Sequence, residues 1–297
     1  MRTFFIFIAL SLVGICCAET QPHNLIRISD RIYSGAAPEG EGDFAAIRKL
    51  GANTIVSVDT TKPNVKGAHA LGMKYIHIPL SYEGITRPQA AALSEAMEET
   101  TGTIYFHCDY GKLRGPAAAA LAWRFSADAT PAAASEALKK AGVNEDFKGL
   151  WAAMAMDNLA ELRAQKPKLV ETAILPGLGA HMGAIDGLVG RLMAARKAGW
   201  FDATIPATVD PAQDALMVQS HFHEIGRLDD GGRKADFNAW RVESEKFAAM
   251  LKQNLKDKDG TAANASLASL QQDCRLCHAA YRGGGGGGNR GGRGMRR

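Results

Sequence analysis

Between residues 24 and 165, short continuous apolar runs alternate with stretches whose apolar positions recur every three to four residues. The run Thr54-Ile55-Val56-Ser57-Val58 predicts a buried strand, preceded by a helix over residues 43–50 that Gly51 terminates. Lys74-Tyr75-Ile76-His77-Ile78-Pro79 predicts a second strand, and Thr103-Ile104-Tyr105-Phe106 a third. Helices are predicted over residues 88–99, 116–125, 131–141 and 145–164. Strand and helix in alternation imply an α/β domain with a mostly parallel sheet and flanking helices.

Residues 165–179 carry two prolines and two glycines and break this pattern, so 166–179 reads as a linker. No strand pattern follows it. Four amphipathic segments do, the first with Met182, Ile185, Val189 and Leu192 in phase and the second with Ala215, Val218, Phe222 and Ile225. The third uses Phe237, Trp240, Ser244, Phe247 and Leu251, and the fourth Leu267, Leu270, Cys274, Cys277 and Tyr281. Asp210-Pro211 opens the second segment, Gly231-Gly232 separates it from the third, and Gly260 follows the third. Short connections between four such helices predict an all-α antiparallel four-helix bundle over residues 180–282.

Composition refines this picture at three points. A chain of 297 residues is comfortable for two domains, and 46% hydrophobic with 22% charged residues is globular. The net charge of +4 owes much to Arg290, Arg293, Arg296 and Arg297 in a Gly/Arg tract over residues 283–297. That tract cannot bury a core and is expected to be a disordered cationic tail that meets anionic surfaces. It resembles the Arg-Gly tracts of RNA-binding proteins, but nucleic acid is not the expected partner of an exported chain. Export is expected because Arg2, an apolar run over residues 4–15 and Cys16-Cys17-Ala18 have the layout of a cleaved secretory signal over residues 1–18. An uncleaved anchor or a lipid-modified cysteine is the alternative use of the same residues. The run is short for a membrane span, so none is expected after cleavage, and a periplasmic or otherwise exported location follows. Of five cysteines, the mature domain at 19–165 keeps Cys108 and the helical part keeps Cys274 and Cys277, which is no disulfide framework.

The segment His107-Cys108-Asp109-Tyr110-Gly111-Lys112-Leu113-Arg114 joins the third strand to a helix opened by Gly115-Pro116. A loop wrapping onto a helix N-terminus turns backbone N–H groups inward as a nest for an oxyanion, so residues 109–114 are the candidate phosphate binders. The same groups should lower the Cys108 pKa and give a thiolate nucleophile. Arg114 can grip two oxygens with its planar fork, Gly111 admits a tight backbone, and His107 can brace the loop. This resembles the His-Cys-x-x-Gly-x-x-Arg signature of the cysteine-dependent tyrosine and dual-specificity phosphatases, a likeness that extends to the strand–loop–helix context and implies a phosphatase-like domain. The resemblance implies Cys108 as nucleophile and Arg114 as phosphate binder. The chain departs from that family at Gly115, where a Ser or Thr hydroxyl usually assists thiolate departure, and at Asp109, whose charge should raise the pKa of Cys108. Glu83, in Leu80-Ser81-Tyr82-Glu83-Gly84, is the first candidate for the general acid. Asp59, at the end of the 54–58 strand and so at the same sheet edge, is the second.

Cys274-Arg275-Leu276-Cys277-His278 is the CxxCH pattern of covalent haem c attachment, with Cys274 and Cys277 on one helix face and His278 as iron ligand. Zinc would need ligands beyond this set, for which the bundle offers only His181, His221 and His223. A redox dithiol usually sits beside a βαβ unit. With Tyr281-Arg282 downstream, the segment resembles the cytochrome c′ and c-556 group, which implies an iron site whose sixth position is empty or filled by a methionine on the first helix. Met182 is the candidate; His181 is one step off that face, and His221 and His223 flank the core. Three functions remain open. The first is an exported phosphomonoester hydrolase linked to haem. The second is an electron-transfer or haem-sensor protein, with a redox partner protein and a degenerate phosphatase-like docking domain. The third is rhodanese-type sulfur transfer.

Overall fold

The computed structural model describes residues 21–126, 129–206, 209–228 and 235–281. The expected signal over residues 1–18, the Gly231-Gly232 break, Arg282 and the Gly/Arg tail lie outside the described residues.

The first half is a five-stranded sheet of order β1-β2-β5-β3-β4. Its strands are β1 (Ile26–Arg27), β2 (Ile32–Ala36), β3 (Ala52–Ser57), β4 (Lys74–His77) and β5 (Thr103–Cys108). β2, β5, β3 and β4 run parallel, and only β1 is antiparallel. Three of these strands follow the apolar runs in the sequence. β1 and β2 do not, because β1 has two residues and Ser34-Gly35-Ala36 of β2 are too small to make an apolar run. Parallel strands deliver their C-terminal ends to one edge, so Ala36, His77, Cys108 and the residues just after β3 share it.

Helices α1 (Glu41–Lys49) and α2 (Val65–His69) cover one sheet face over Phe44, Ile47, Ile55 and Tyr105. The other face carries α3 (Arg87–Glu99), α4 (Arg114–Phe125) and α5 (Pro131–Lys140). α3 starts where the sequence says it should: Thr86 accepts from Gln89 N, the Gln89 side chain returns to Thr86 N, and Pro88 lies in the first turn. The single helix expected over residues 145–164 is instead three pieces. They are α6 (Lys148–Ala152), a 3-10 turn (Ala153–Ala155) and α7 (Leu159–Ala164). Arg124 explains the break: its Nη1 donates to the carbonyls of Met154 at 2.8 Å and Met156 at 2.7 Å, acceptors that a continuous helix would use itself. The linker is not free either. Val170 O accepts from His77 N at 2.8 Å, and Ala173 N donates to His77 Nδ1 at 3.1 Å, so the segment covers the β4 edge.

The C-terminal part is helical: α8 (Leu178–Lys197), α9 (Pro211–Arg227), α10 (Ala235–Lys256) and α11 (Gly260–Tyr281). Each packs on the next in sequence. No described helix is long and apolar enough to cross a membrane. The buried stripe of α8 is His181, Ile185, Leu188, Leu192 and Ala195, so the expected phase through Met182 and Val189 is off by one step; those two are half-buried. α9 differs from an ordinary amphipathic helix because Asp214, Ser220 and Glu224 are buried along with Val218, Phe222 and Ile225. Its polar face meets protein, not water: one apolar cluster runs from the sheet through to α9, α10 and α11.

α6 fixes the loop after β4. A Cβ at Gly149 would lie 1.6 Å from Glu83 O, so only glycine lets this backbone approach the 83–84 segment. Gly149→Ala is expected to lower unfolding stability by about 1–3 kcal/mol in a denaturant melt. An unchanged midpoint would show that the two segments do not touch in solution.

Candidate active site

Cys108 ends the central strand β5, and residues 109–113 form the loop that feeds α4 at Arg114. Gly111 has φ +68°, and a Cβ there would stand 2.1 Å from Gly35 C, so the loop folds against β2 only because this position is glycine. Asn24 Nδ2 donates to Tyr110 O at 2.7 Å and Ala37 N to Asp109 O at 3.0 Å, which pins the loop from the β2 side. Tyr110 and Lys112 are exposed, Asp109 and Leu113 half-buried, and Gly111 and Arg114 buried. The N-cap of α4 is Leu113, which provides no side-chain cap, and Gly115 and Pro116 in its first turn are buried. A buried helix start without a cap leaves N–H groups directed at whatever the loop encloses. Gly115, where the resembled family carries a hydroxyl, is tightly placed: a Cβ would lie 3.0 Å from Ser34 Oγ and 3.1 Å from Cys108 N, so a side chain there needs these neighbours to give by a few tenths of an ångström. The buried Ser34 hydroxyl, itself without a partner, stands next to that spot.

Arg114 is fully buried. Its Nη2 meets Asp59 Oδ1 at 2.8 Å and Glu224 Oε1 at 3.1 Å, and its Nη1 donates to Leu80 O at 3.2 Å and Thr60 Oγ1 at 3.3 Å. The Tyr82 ring lies 4.2 Å from its Cζ. Its Nε has no partner. Burial alone would push the guanidinium's pKa down, but Tyr82, Glu224 and Asp59 outweigh burial and raise it. From α9, Arg227 spans the mouth of the loop: it donates to both Asp59 oxygens at 2.8 and 2.5 Å and sits 3.3 Å from Asp109 and 3.2 Å from Glu224. Glu224 also bonds Thr60. The helical part therefore supplies two charged groups to a site that the sequence placed wholly in the α/β part.

Neither expected acid is held protonated. Burial would raise the Asp59 carboxyl, but Arg227 and Arg114 overcome it and keep it well below the ordinary carboxylate range. Asp59 is thus an anchor for two guanidiniums and not a proton donor in this arrangement. Glu83 shares a cavity of about 370 Å³ with Arg114, Tyr82, Glu224, His181 and His221. His221 Nε2 lies 3.7 Å from its carboxylate and holds it below its usual range. His221 in turn meets His181 at 3.1 Å between the two Nδ1 atoms. His181 thus turns toward this cavity, while Met182 lines a different pocket.

That second pocket is the one with Cys274, Cys277 and His278 on α11, faced by Met182, Ile185 and Val189 of α8 and closed by Phe222, Phe237 and Trp240. Both cysteines are half-buried free thiols. Burial pushes Cys274 up to about 11 and raises Cys277, the opposite of an activated redox dithiol. The described residues contain no His/Cys/Asp/Glu cluster able to hold a metal ion by itself. The cavity is about 100 Å³, too small for a porphyrin as it stands; its lining combines two thiols and an imidazole with aromatic and aliphatic walls.

The sequence reading missed Glu224, Arg227 and the partnership of His221 with Glu83. Their signal was faint: charges on the polar side of an amphipathic helix, which ordinarily face water.

His107, beneath the loop, is buried with its Nε2 2.6 Å from Tyr75 Oη, and burial depresses its pKa to about 4. It stays neutral in the folded chain while the unfolded chain binds a proton below the ordinary value of about 6.5. Its contribution is therefore complete above that pH and is lost as pH falls toward 4. Between about pH 7 and about pH 4.5 the protein should lose on the order of 2 kcal/mol more stability than His107→Gln. Equal losses in parallel denaturant melts would refute this assignment.

No protein-family model matches the chain, and no curated protein does. Among solved structures it is similar to TpbA of P. aeruginosa, at 20% identity over 48% of this chain and 91% of that one, with a TM-score of 0.41. The core catalytic domain of the PP-IP phosphatase SIW14 from S. cerevisiae is similar at 16% identity over 49% and 94%, with a TM-score of 0.42. Human DUSP28 is similar at 21% identity over 48% and 95%, with a TM-score of 0.36.

Proposed function

We propose that this chain is an exported cysteine-dependent phosphomonoester hydrolase that carries a covalent haem c on its last helix. The observation that carries the hydrolase reading is Arg114: a fully buried guanidinium whose Nε lacks a partner, at the uncapped start of α4, in the loop that begins at Cys108. Unpaired buried donors at such a place call for an acceptor, and an oxyanion satisfies guanidinium and helix N–H groups together.

In the reaction, Cys108 Sγ as thiolate attacks phosphorus, an S–P bond forms and the bond to the leaving oxygen breaks. The leaving oxygen takes a proton from His221, which shares the Arg114 cavity with the Glu83 carboxylate. Water then attacks phosphorus and gives a proton back to His221, the S–P bond breaks, and phosphate and the thiolate are released. Arg114 holds the equatorial oxygens through both steps. Cys274 and Cys277 would hold the haem as thioethers and His278 would ligate its iron, with Met182 on the facing wall as candidate further ligand. When bound, the haem would supply one-electron chemistry. The second reading, a haem protein with a degenerate docking site, is favoured by one feature: Arg114 Nη2 is already engaged by Asp59 and Glu224.

With para-nitrophenyl phosphate, Cys108→Ser should abolish turnover, and Arg114→Lys should cut kcat/KM by roughly a hundredfold or more, since an ammonium cannot reproduce the fork. Turnover that survives Cys108→Ser would exclude the hydrolase reading. Chain produced alongside haem-attachment machinery should give a pyridine haemochrome spectrum that the double variant Cys274→Ala, Cys277→Ala lacks. A colourless wild-type product would exclude the haem.

A further inference from the structure

We infer that α9 regulates the oxyanion site from within, with the Glu224 carboxylate acting as a tethered competitor for Arg114. The inference rests on the hydrolase reading and deepens it. Three observations meet. First, Glu224 Oε1 lies 3.1 Å from Arg114 Nη2, on the side-chain atom that an oxyanion would need, and both groups are buried. Second, with the exposed Lys112 set aside, the charges enclosed around the loop include three carboxylates, Asp59, Asp109 and Glu224, against two guanidiniums, Arg114 and Arg227. A phosphate dianion added to this set would face net negative charge in a poorly hydrated space. One carboxylate must leave before the dianion enters. Third, the three are not equally removable. Asp59 and Glu224 are each held by both guanidiniums, but Asp59 follows β3 within the α/β part and Asp109 belongs to the loop itself. Glu224 arrives on a helix of another part of the chain.

Binding and this tie of the helix are therefore linked. Phosphate that takes Arg114 displaces Glu224 and removes one of the ties of α9 to the loop, and by reciprocity loss of the Glu224 charge strengthens phosphate binding; Arg227 of the same helix keeps its hold on Asp59 and Asp109. α9 also contributes Phe222 to the wall of the Cys274–Cys277 pocket, so the same helix is shared by both sites.

The test uses the full chain and inorganic phosphate. Isothermal titration of the wild type and of Glu224→Gln, which keeps a hydrogen-bonding side chain but no charge, should show roughly tenfold or tighter binding in the variant. Hydrogen exchange on the wild type, which needs no variant, should show residues 211–227 exchanging faster once phosphate is added. Equal or weaker phosphate affinity in a folded Glu224→Gln, or unchanged exchange in α9 at saturating phosphate, overturns the inference and leaves the oxyanion site standing. Phosphate bound by neither form overturns the site, and the inference with it.

Discussion

A buried guanidinium with no counter-charge is costly, and the arrangement of this molecule around Arg114 follows from that constraint. Asp59 comes from the end of β3, Leu80 O from the segment after β4, and Glu224 from α9, so three separate regions converge on one side chain. Breaking a buried pair of this kind by deleting one partner typically costs about 3–5 kcal/mol, because the other charge is left unpaired. The network thus ties the helical part to the sheet alongside the apolar cluster that the two parts share.

The same constraint connects structure to chemistry. A cation placed where it cannot reach water is poised to bind an anion strongly, provided its own carboxylates can be exchanged. Arg114 meets this condition in part: Nε is open, and Nη2 is shared between a fixed carboxylate and one carried by a helix. The cysteine pair on α11 lines a pocket to which the same helix contributes Phe222. Two candidate sites that look unrelated in the sequence thus share one element.

What the sequence makes legible is what depends on neighbours along the chain. The strands at residues 54–58 and 103–106, the helix over residues 88–99, and the Cys108-to-Arg114 loop are all local patterns, and each has its counterpart in the structure. What depends on partners far away in the chain is not legible. The helix expected over residues 145–164 is broken by Arg124, which lies twenty or more positions earlier. Glu224 and Arg227 occupy the polar side of α9, and nothing local distinguishes a polar face that meets water from one that meets a buried arginine. On α8, His181 is buried and meets His221 of another helix, a contact that the local pattern does not encode.

The central claim is that Cys108 is a nucleophile for phosphorus within an oxyanion cradle. Acid-quenched protein, taken during turnover of a phosphomonoester and digested for mass spectrometry, reports on that directly. The account predicts a phosphoryl group on the peptide containing Cys108, lost when that residue is serine. Hydrolysis that proceeds with no phosphoryl group on that peptide would contradict it.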